Sequence, residues 1–316
     1  TDMSNLFSTT RNGSMSTFNS NISNWNTSNV TNMSNMFSGA QDFNQDISNW
    51  NTSNVTNMSS MFNTARKFNN GDSGNNSANP LTTSDSSWDV SSVTNMSGMF
   101  FKAYKFNQDV SNWNVSSVEN MSTMFRDAAL FNQNISSWTV SNVRDTWGMF
   151  YGNPAFNQDI SSWDTSQVTS MSWMFYNASS MNQPLQYWNT SSVTSYQNMF
   201  QSATAMLGRG FTATPNSGQF NQPRPFQPQT KTELQTAVIA WTGGDTTTYG
   251  HINTWDTSLI TDMSNLFYGK SNFNDDISNW DVSNVTNMGN MFDNASTFNQ
   301  NISGWDVSLV ENMQGM

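Results

Sequence analysis

The chain has 316 residues, of which 35% are hydrophobic and 10% charged, with a formal net charge of −11 and no cysteine. Disulfide stabilisation and thiol chemistry are excluded, and the negative charge, with no basic run in the sequence, argues against a nucleic-acid partner. The low apolar fraction does not mean disorder, because 22 Phe, 21 Met and 13 Trp supply core material that disordered chains lack.

From its first residues the sequence repeats itself. Trp25, Trp50, Trp88, Trp113, Trp138, Trp163, Trp188, Trp255, Trp280 and Trp305 mark the phase, and most of them are 25 residues apart. One unit, residues 43–65, reads FNQDISNWNTSNVTNMSSMFNTA. Its Ile47, Trp50 and Thr52 have the spacing of a short leucine-rich-repeat strand. Val55, Met58, Met61 and Phe62 form the stripe of a short helix, with Ser53 or Thr56 as its cap. The expected fold class is an α/β-type repeat solenoid: leucine-rich-repeat-like coils of one short strand plus one short helix or 3-10 turn, stacked so that like residues form ladders. Beside the Trp ladder these are a Val ladder five residues after each Trp (Val30, Val55 and their equivalents) and a Phe ladder (Phe37, Phe62 and theirs). Asn19, Asn44, Asn69, Asn107, Asn132, Asn157, Asn182, Asn221, Asn274 and Asn299 follow the first Phe or Met of each unit and read as a buried ladder that satisfies backbone groups at a bend.

Residues 1–222 make the first solenoid. Two insertions interrupt it, near 70–82 and 204–218, and read as surface loops; the second contains apolar Met206, Leu207 and Phe211. Residues 223–230, with Pro223, Pro225 and Pro228, read as a linker. A second solenoid, 231–316, starts with an amphipathic helix over about 231–242 whose Leu234, Ala237, Val238 and Trp241 share a face. Thr230 and Glu233 have capping-box spacing, Gly243 stands where a left-handed stop belongs, and a strand is expected at Ile252–Thr257. Residues 261–267 repeat residues 1–7, so both ends cut through a repeat, the second solenoid being truncated at its C-terminal end. A window on a longer array, or a subunit of a head-to-tail filament, is the expectation.

No run of about 18 apolar residues occurs, so no membrane span is expected in this segment. The single histidine, His251, rules out multi-histidine metal sites, and the acidic residues recur with the repeat instead of converging, so no catalytic residues and no enzyme activity are expected. The residue after each Trp forms an outward row. Its Asp89, Asp164, Asp256, Asp281 and Asp306 are candidate calcium ligands, calcium being the only cofactor considered, and Asn26, Asn51, Asn114 and Asn189 are candidate ligand-binding residues. Tyr187 flanks the row, and Phe211 in the second insertion joins it as a candidate for glycan or partner-protein binding. The many N-x-[ST] triplets, such as those at Asn26, Asn29 and Asn32, are glycosylation signatures generated by the repeat.

The recurring string W-[DN]-[TV]-S-x-V-T-x-M-x-x-M-F resembles the BspA-type leucine-rich-repeat surface proteins. The resemblance implies an extracellular or cell-surface location and an adhesive role, and the helix at 231–242 resembles the one that opens an array in that family. The expected function is therefore a non-catalytic structural or adhesive repeat protein, a stalk or a filament. Its partners would be adjacent repeat domains or copies of itself end to end, or a surface glycan or a protein of a host or neighbouring cell. The alternative is a ligand-recognition module acting through the strand face or the inserted loops.

Overall fold

A computed structural model describes residues 1–72 and 88–316. The chain divides into two compact units, Thr1–Gln222 and Pro223–Met316. Most of the first insertion, residues 73–82, lies outside the described residues.

In the first unit each repeat makes one coil, and the coils lie on one another in sequence order. The coil is not built as expected. No strand forms at Ile47–Thr52; the parallel contact sits seven residues after each Trp, as single bridges that run from Asp2 and Asn32 through Asn57 and Asn95 to Ser170 and Ser195. Nor does a helix form over Val55–Phe62. The coil of Trp113 shows what replaces it. The amides of Met121, Thr123, Phe125 and Asp127 donate to the carbonyls of Asp145, Trp147, Met149 and Tyr151 in the next coil at 2.7–3.0 Å, and the intervening amides of Met124, Arg126 and Ala128 close turns within the coil.

This alternation depends on backbone handedness. The tenth and fourteenth residues after each Trp have positive φ, as in Thr123 at 55° and Asp127 at 56°, or Trp173 at 62° and Asn177 at 57°. A helix directs every amide to a carbonyl four residues back. A left-handed residue at every fourth position instead turns alternate amides along the stack. Asn, Gly, Ser and Thr, which fill most of these positions, are weak helix formers, and Asn and Gly tolerate the left-handed region. The Val, Met and Phe side chains still point inward, so their spacing alone does not distinguish the two backbones.

Inside, the rings stack coil on coil. Neighbouring ladder tryptophans lie 6.2–6.4 Å apart with planes within 9°, and the Phe ladder repeats at 5.4–5.8 Å. A second phenylalanine row, Phe18, Phe43, Phe68, Phe106, Phe131 and Phe156, packs 3.7–4.0 Å from the first within each coil. The parallel rings 5.4–6.4 Å apart along the two ladders are offset stacks, which contribute about 0.5–1.5 kcal/mol beyond the area they bury. Most ladder tryptophans also act as polar staples. The indole N–H of Trp50 donates to Ile22 O at 3.0 Å, that of Trp138 to Val110 O at 3.0 Å, and that of Trp188 to Ile160 O at 2.9 Å. Trp25, in the first coil of this ladder, is 38% exposed.

The corners are made by short side chains. In the unit of Trp50, the carboxamide or carboxylate oxygens of Asp46, Asn51 and Asn57 accept the amides of Ser48, Ser53 and Ser59 at 2.9–3.0 Å. These are Asx turns, in which the side chain mimics a backbone turn. The N-x-[ST] triplets at Asn26 and Asn32, read as glycosylation signatures, are members of the same series. The Asn ladder is real but mostly not buried. Each Oδ1 accepts the backbone amide of the next Asn, from Asn19 to Asn44 to Asn69 to Asn107 to Asn132 to Asn157 to Asn182, at 2.7–3.0 Å. Asn69 alone in that chain is buried, because Gln108 Nε2 and the adjoining coil cover it. Asn221 departs from the register, since its side chain accepts the amide of Thr190.

The segment 204–218 is not a free loop. Helix α1 (Thr204–Gly208) is followed by a strip laid across the last coil: Phe200 N–H donates to Ala213 O at 2.9 Å and Asn198 N–H to Thr214 Oγ1 at 2.9 Å. Phe211 and Phe220, 8% and 1% exposed, cover the terminal rings of Phe200 and Tyr196. The insertion therefore closes the core, and Met206, also buried, belongs to it.

The second unit opens with helix α2 (Lys231–Thr242), which buries Leu234, Ala237, Val238 and Trp241. Thr230 Oγ1 accepts the Glu233 amide, and the Glu233 carboxylate accepts the Gln229 amide at 2.7 Å. Gly243 is right-handed, at φ −85°, and the left-handed stop falls one residue later, at Gly244, φ 100°. The expected strand at Ile252–Thr257 is a 3-10 turn, Ile252–Thr254. The stretch 223–230 is not a loose linker: Pro228 is buried, Phe226 O accepts the Asp256 amide at 2.9 Å, and the Phe226 ring meets Trp255 edge-on. Coils of the same design follow, with bridges from Asp262 to Asn287 and on to Asn312.

Two substitutions test this design. Trp138→Phe removes one of the two donors to the buried Val110 carbonyl, which keeps the Trp113 amide, and leaves a cavity beside the smaller ring; it is expected to cost about 1–3 kcal/mol, read as a lower urea midpoint by circular dichroism. Thr123→Asn replaces a β-branched residue at φ 55° with one that tolerates that region, and should raise the midpoint by about 1 kcal/mol.

Candidate recognition surface

The row that follows each Trp is occupied with the chain's own turns. The side-chain oxygens of Asn26, Asn51, Asn114 and Asn189, and of Asp89, Asp164, Asp256, Asp281 and Asp306, each accept the amide two residues on at 2.9–3.2 Å. Hydrogen bonds from Ser308 hold the Asp306 carboxyl below the usual carboxylate range. Among the described residues no three His, Asp or Glu side chains converge on a spot suited to a metal ion. The structure thus places the row at the coil corners and does not bring its acidic members together as a ligand set.

Tyr187 ends a 3-10 turn, Leu185–Tyr187, and is half-buried. Phe211 forms the floor of a shallow cleft of about 400 Å³, lined also by Gln186, Arg209, Gly210, Gln219 and Gln222. Much of the cleft's polarity is internal to the cap. Gln219 accepts from Thr212 Oγ1 at 2.8 Å and donates to Gly210 O at 3.0 Å, and Gln222 donates to Gly218 O and Phe220 O.

A different surface emerges on the ridge formed by the turn ladder. At the thirteenth residue after Trp, four successive coils carry Phe101, Arg126, Tyr151 and Tyr176, where others carry Ser38 and Asn63. The Arg126 guanidinium lies 4.1 Å from the Tyr151 ring centroid, 5.5 Å from Phe101 and 5.7 Å from Trp147. Tyr151 stacks on Tyr176 at 4.6 Å, and Trp173 leans against both. Lys102 sits over Phe101, and Arg66 over Tyr104 one coil away. Cations over aromatic faces gain about 0.5–1 kcal/mol at exposed sites.

The absence of a basic cluster read from the sequence is therefore corrected. Arg66, Lys67, Lys102, Lys105 and Arg126 belong to three neighbouring coils and make up five of the chain's eleven basic residues. Arg66 with Lys67, Lys102 with Lys105, and Arg126 come from separate repeats, and stacking puts those repeats side by side. Lys67 is paired with Asp42 at 2.7 Å. Arg126 Nε is buried without a hydrogen bond, 3.8 Å from Asp127 Oδ2. Burial pushes the Asp127 carboxyl up, against the pull of Arg126 and Lys102.

The signal that finds this ridge is departure from the repeat. Trp147 stands where Ser34, Ser59, Ser97 and Ser122 stand in other coils, and Trp173 where Asn35, Ser60 and Gly98 do. Neither tryptophan belongs to the interior ladder.

The family model described as "Mycoplasma protein of unknown function, DUF285" matches residues 1–85, 75–153, 133–211 and 236–316. These matches cover most of the chain, and the chain belongs to that family. No curated protein and no solved structure matches it.

If 204–218 is a cap and not a recognition loop, Phe211→Ala should lower the stability of the first unit by about 3 kcal/mol, seen as a lower thermal midpoint and new dye-binding apolar surface. A loop residue would leave both unchanged.

Proposed function

We propose that this DUF285 protein is a non-catalytic repeat solenoid that serves as an adhesive scaffold at the cell surface. One observation supports the reading above the others. The regular polar positions of the coil, the Asn ladder and the Asx corners, hydrogen-bond within the protein, while the ridge from Phe101 to Tyr176 departs from the repeat and carries half-buried aromatic and cationic groups packed on one another at the surface. Such a division suits a stacked frame that holds one contact surface in place. A reaction centre would need acid, base or nucleophile side chains brought within reach of one another. The surface location rests on the resemblance to BspA-type proteins.

Protease treatment of intact producing cells tests the location: the protein should disappear from the cells before any cytoplasmic marker is cut. Beads coated with the whole chain should adhere to cells or matrix above beads coated with an inert protein. Protection until lysis, or adhesion no better than the control, would contradict the reading.

A further inference from the structure

Among the chain's many asparagines, two are followed by glycine: Asn12–Gly13 and Asn70–Gly71. With no Cβ beside it, a glycine amide can approach the carboxamide of the residue before it more closely than any other amide can. The two dipeptides share that chemistry, and the fold sets them in opposite environments.

Asn12–Gly13 lies on an insertion. Eleven residues separate Phe7 from Phe18 in the first coil, where six separate Phe37 from Phe43 in the next. The extra residues reach the surface. Asn12, Gly13 and Ser14 are exposed, and a Cβ added at Gly13 would meet nothing within 4 Å, so the peptide between Asn12 and Gly13 has room to turn. The Gly13 amide makes no hydrogen bond among the described residues. Beside it, Asn12 Oδ1 accepts both the Ser14 amide at 3.1 Å and the Ser14 hydroxyl at 2.9 Å. Two donors on one carboxamide oxygen make Cγ more electrophilic and stabilise the negative charge that the oxygen gains when Cγ is attacked. An uncommitted nucleophile therefore stands next to an activated carbon.

At Asn70–Gly71 both groups are committed. Asn70 is 0% exposed and its Oδ1 accepts the Ile47 amide at 2.9 Å, while the Gly71 amide donates to Asn44 Oδ1 at 3.1 Å. A Cβ at Gly71 would already lie 3.1 Å from the backbone nitrogen of Asp46. Attack there requires these bonds to break and the coils to part.

We infer that Asn12–Gly13 is a site of spontaneous covalent modification, with water as the co-reactant, and that the fold shields Asn70–Gly71 from the same reaction. Hydroxide takes the proton of the Gly13 amide, and the nitrogen bonds to Asn12 Cγ. The Cγ–Nδ2 bond breaks, and Nδ2 takes a proton from water and leaves as ammonia, which closes a cyclic imide and regenerates hydroxide. Water then adds to one imide carbonyl and its bond to nitrogen opens. Opening at Cγ leaves aspartate; opening at the main-chain carbonyl leaves isoaspartate, whose backbone runs through the former side chain. Either product gives the first coil a carboxylate that the sequence does not encode.

The whole chain should be incubated folded, at neutral and at mildly alkaline pH, and again unfolded in urea, with Asn12 and Asn70 followed by peptide mapping and mass spectrometry. In the folded chain Asn12 is expected to convert at least about tenfold faster than Asn70, because only Asn70 must wait for local opening. Aspartate and isoaspartate should both form, faster at the higher pH. In urea the two sites should convert at similar rates. Gly13→Ala places a methyl group in open space, so the circular dichroism should not change, while conversion at Asn12 should slow by about tenfold. Ser14→Ala removes one donor to Oδ1 and should slow conversion in the folded chain but not in urea. An intact Asn12, equal rates at the two sites in the folded chain, or a rate at Asn12 unaffected by Gly13→Ala would overturn the inference.

Discussion

Everything in this fold depends on the backbone hydrogen bond that joins one coil to the next. Between the eighth and fourteenth residues after each Trp, the last coil of each unit excepted, every second amide leaves its own coil and reaches a carbonyl in the following one. That requires left-handed backbone at two fixed positions per repeat, and the sequence supplies Asn, Gly, Ser or Thr at most of them. Once the amides are aimed along the stack, like residues fall on like, and the Trp and Phe rings have neighbours 5–6 Å away in both directions. The apolar fraction is low because each coil needs few interior residues when all of them are large.

Polar chemistry follows the same logic. The backbone bonds between coils are concentrated in the turn ladder, so side chains complete the pairing around the rest of each coil. Asn44 and its equivalents accept the next coil's amide, Asx residues close the corners, and the ladder indoles find a buried acceptor in carbonyls that also close a turn within the preceding coil. The abundance of Asn, Ser and Thr is thus structural. Leaving any one of these groups unpaired costs about 1–3 kcal/mol, which explains why the frame repeats so closely.

The phase of the repeat and the inward positions were legible in the spacing of Trp50, Val55 and Phe62, because burial recurs at fixed intervals whatever the backbone does between them. The expected strand and helix were not legible, since the interval from Val55 to Phe62 is shared by a helical stripe and by this sequence of turns. The Asx corners were visible as N-x-[ST] triplets and carried a second meaning as glycosylation signatures. Phe211 looked like part of a loop because a cap for the final coil has no periodic signature of its own. The ridge leaves a signal along the chain only as departure from the repeat, and Phe101, Arg126, Tyr151 and Tyr176 meet only when successive coils are laid on one another.

The stacked interior is most directly tested by hydrogen exchange at the thirteen indole N–H groups, followed by NMR. If the rings are stacked and stapled as described, the signals of Trp50, Trp138, Trp163 and Trp188 persist long after transfer to heavy water while those of Trp147 and Trp173 vanish quickly. Uniformly fast exchange, or protection of Trp147 and Trp173 equal to that of the ladder, would contradict it.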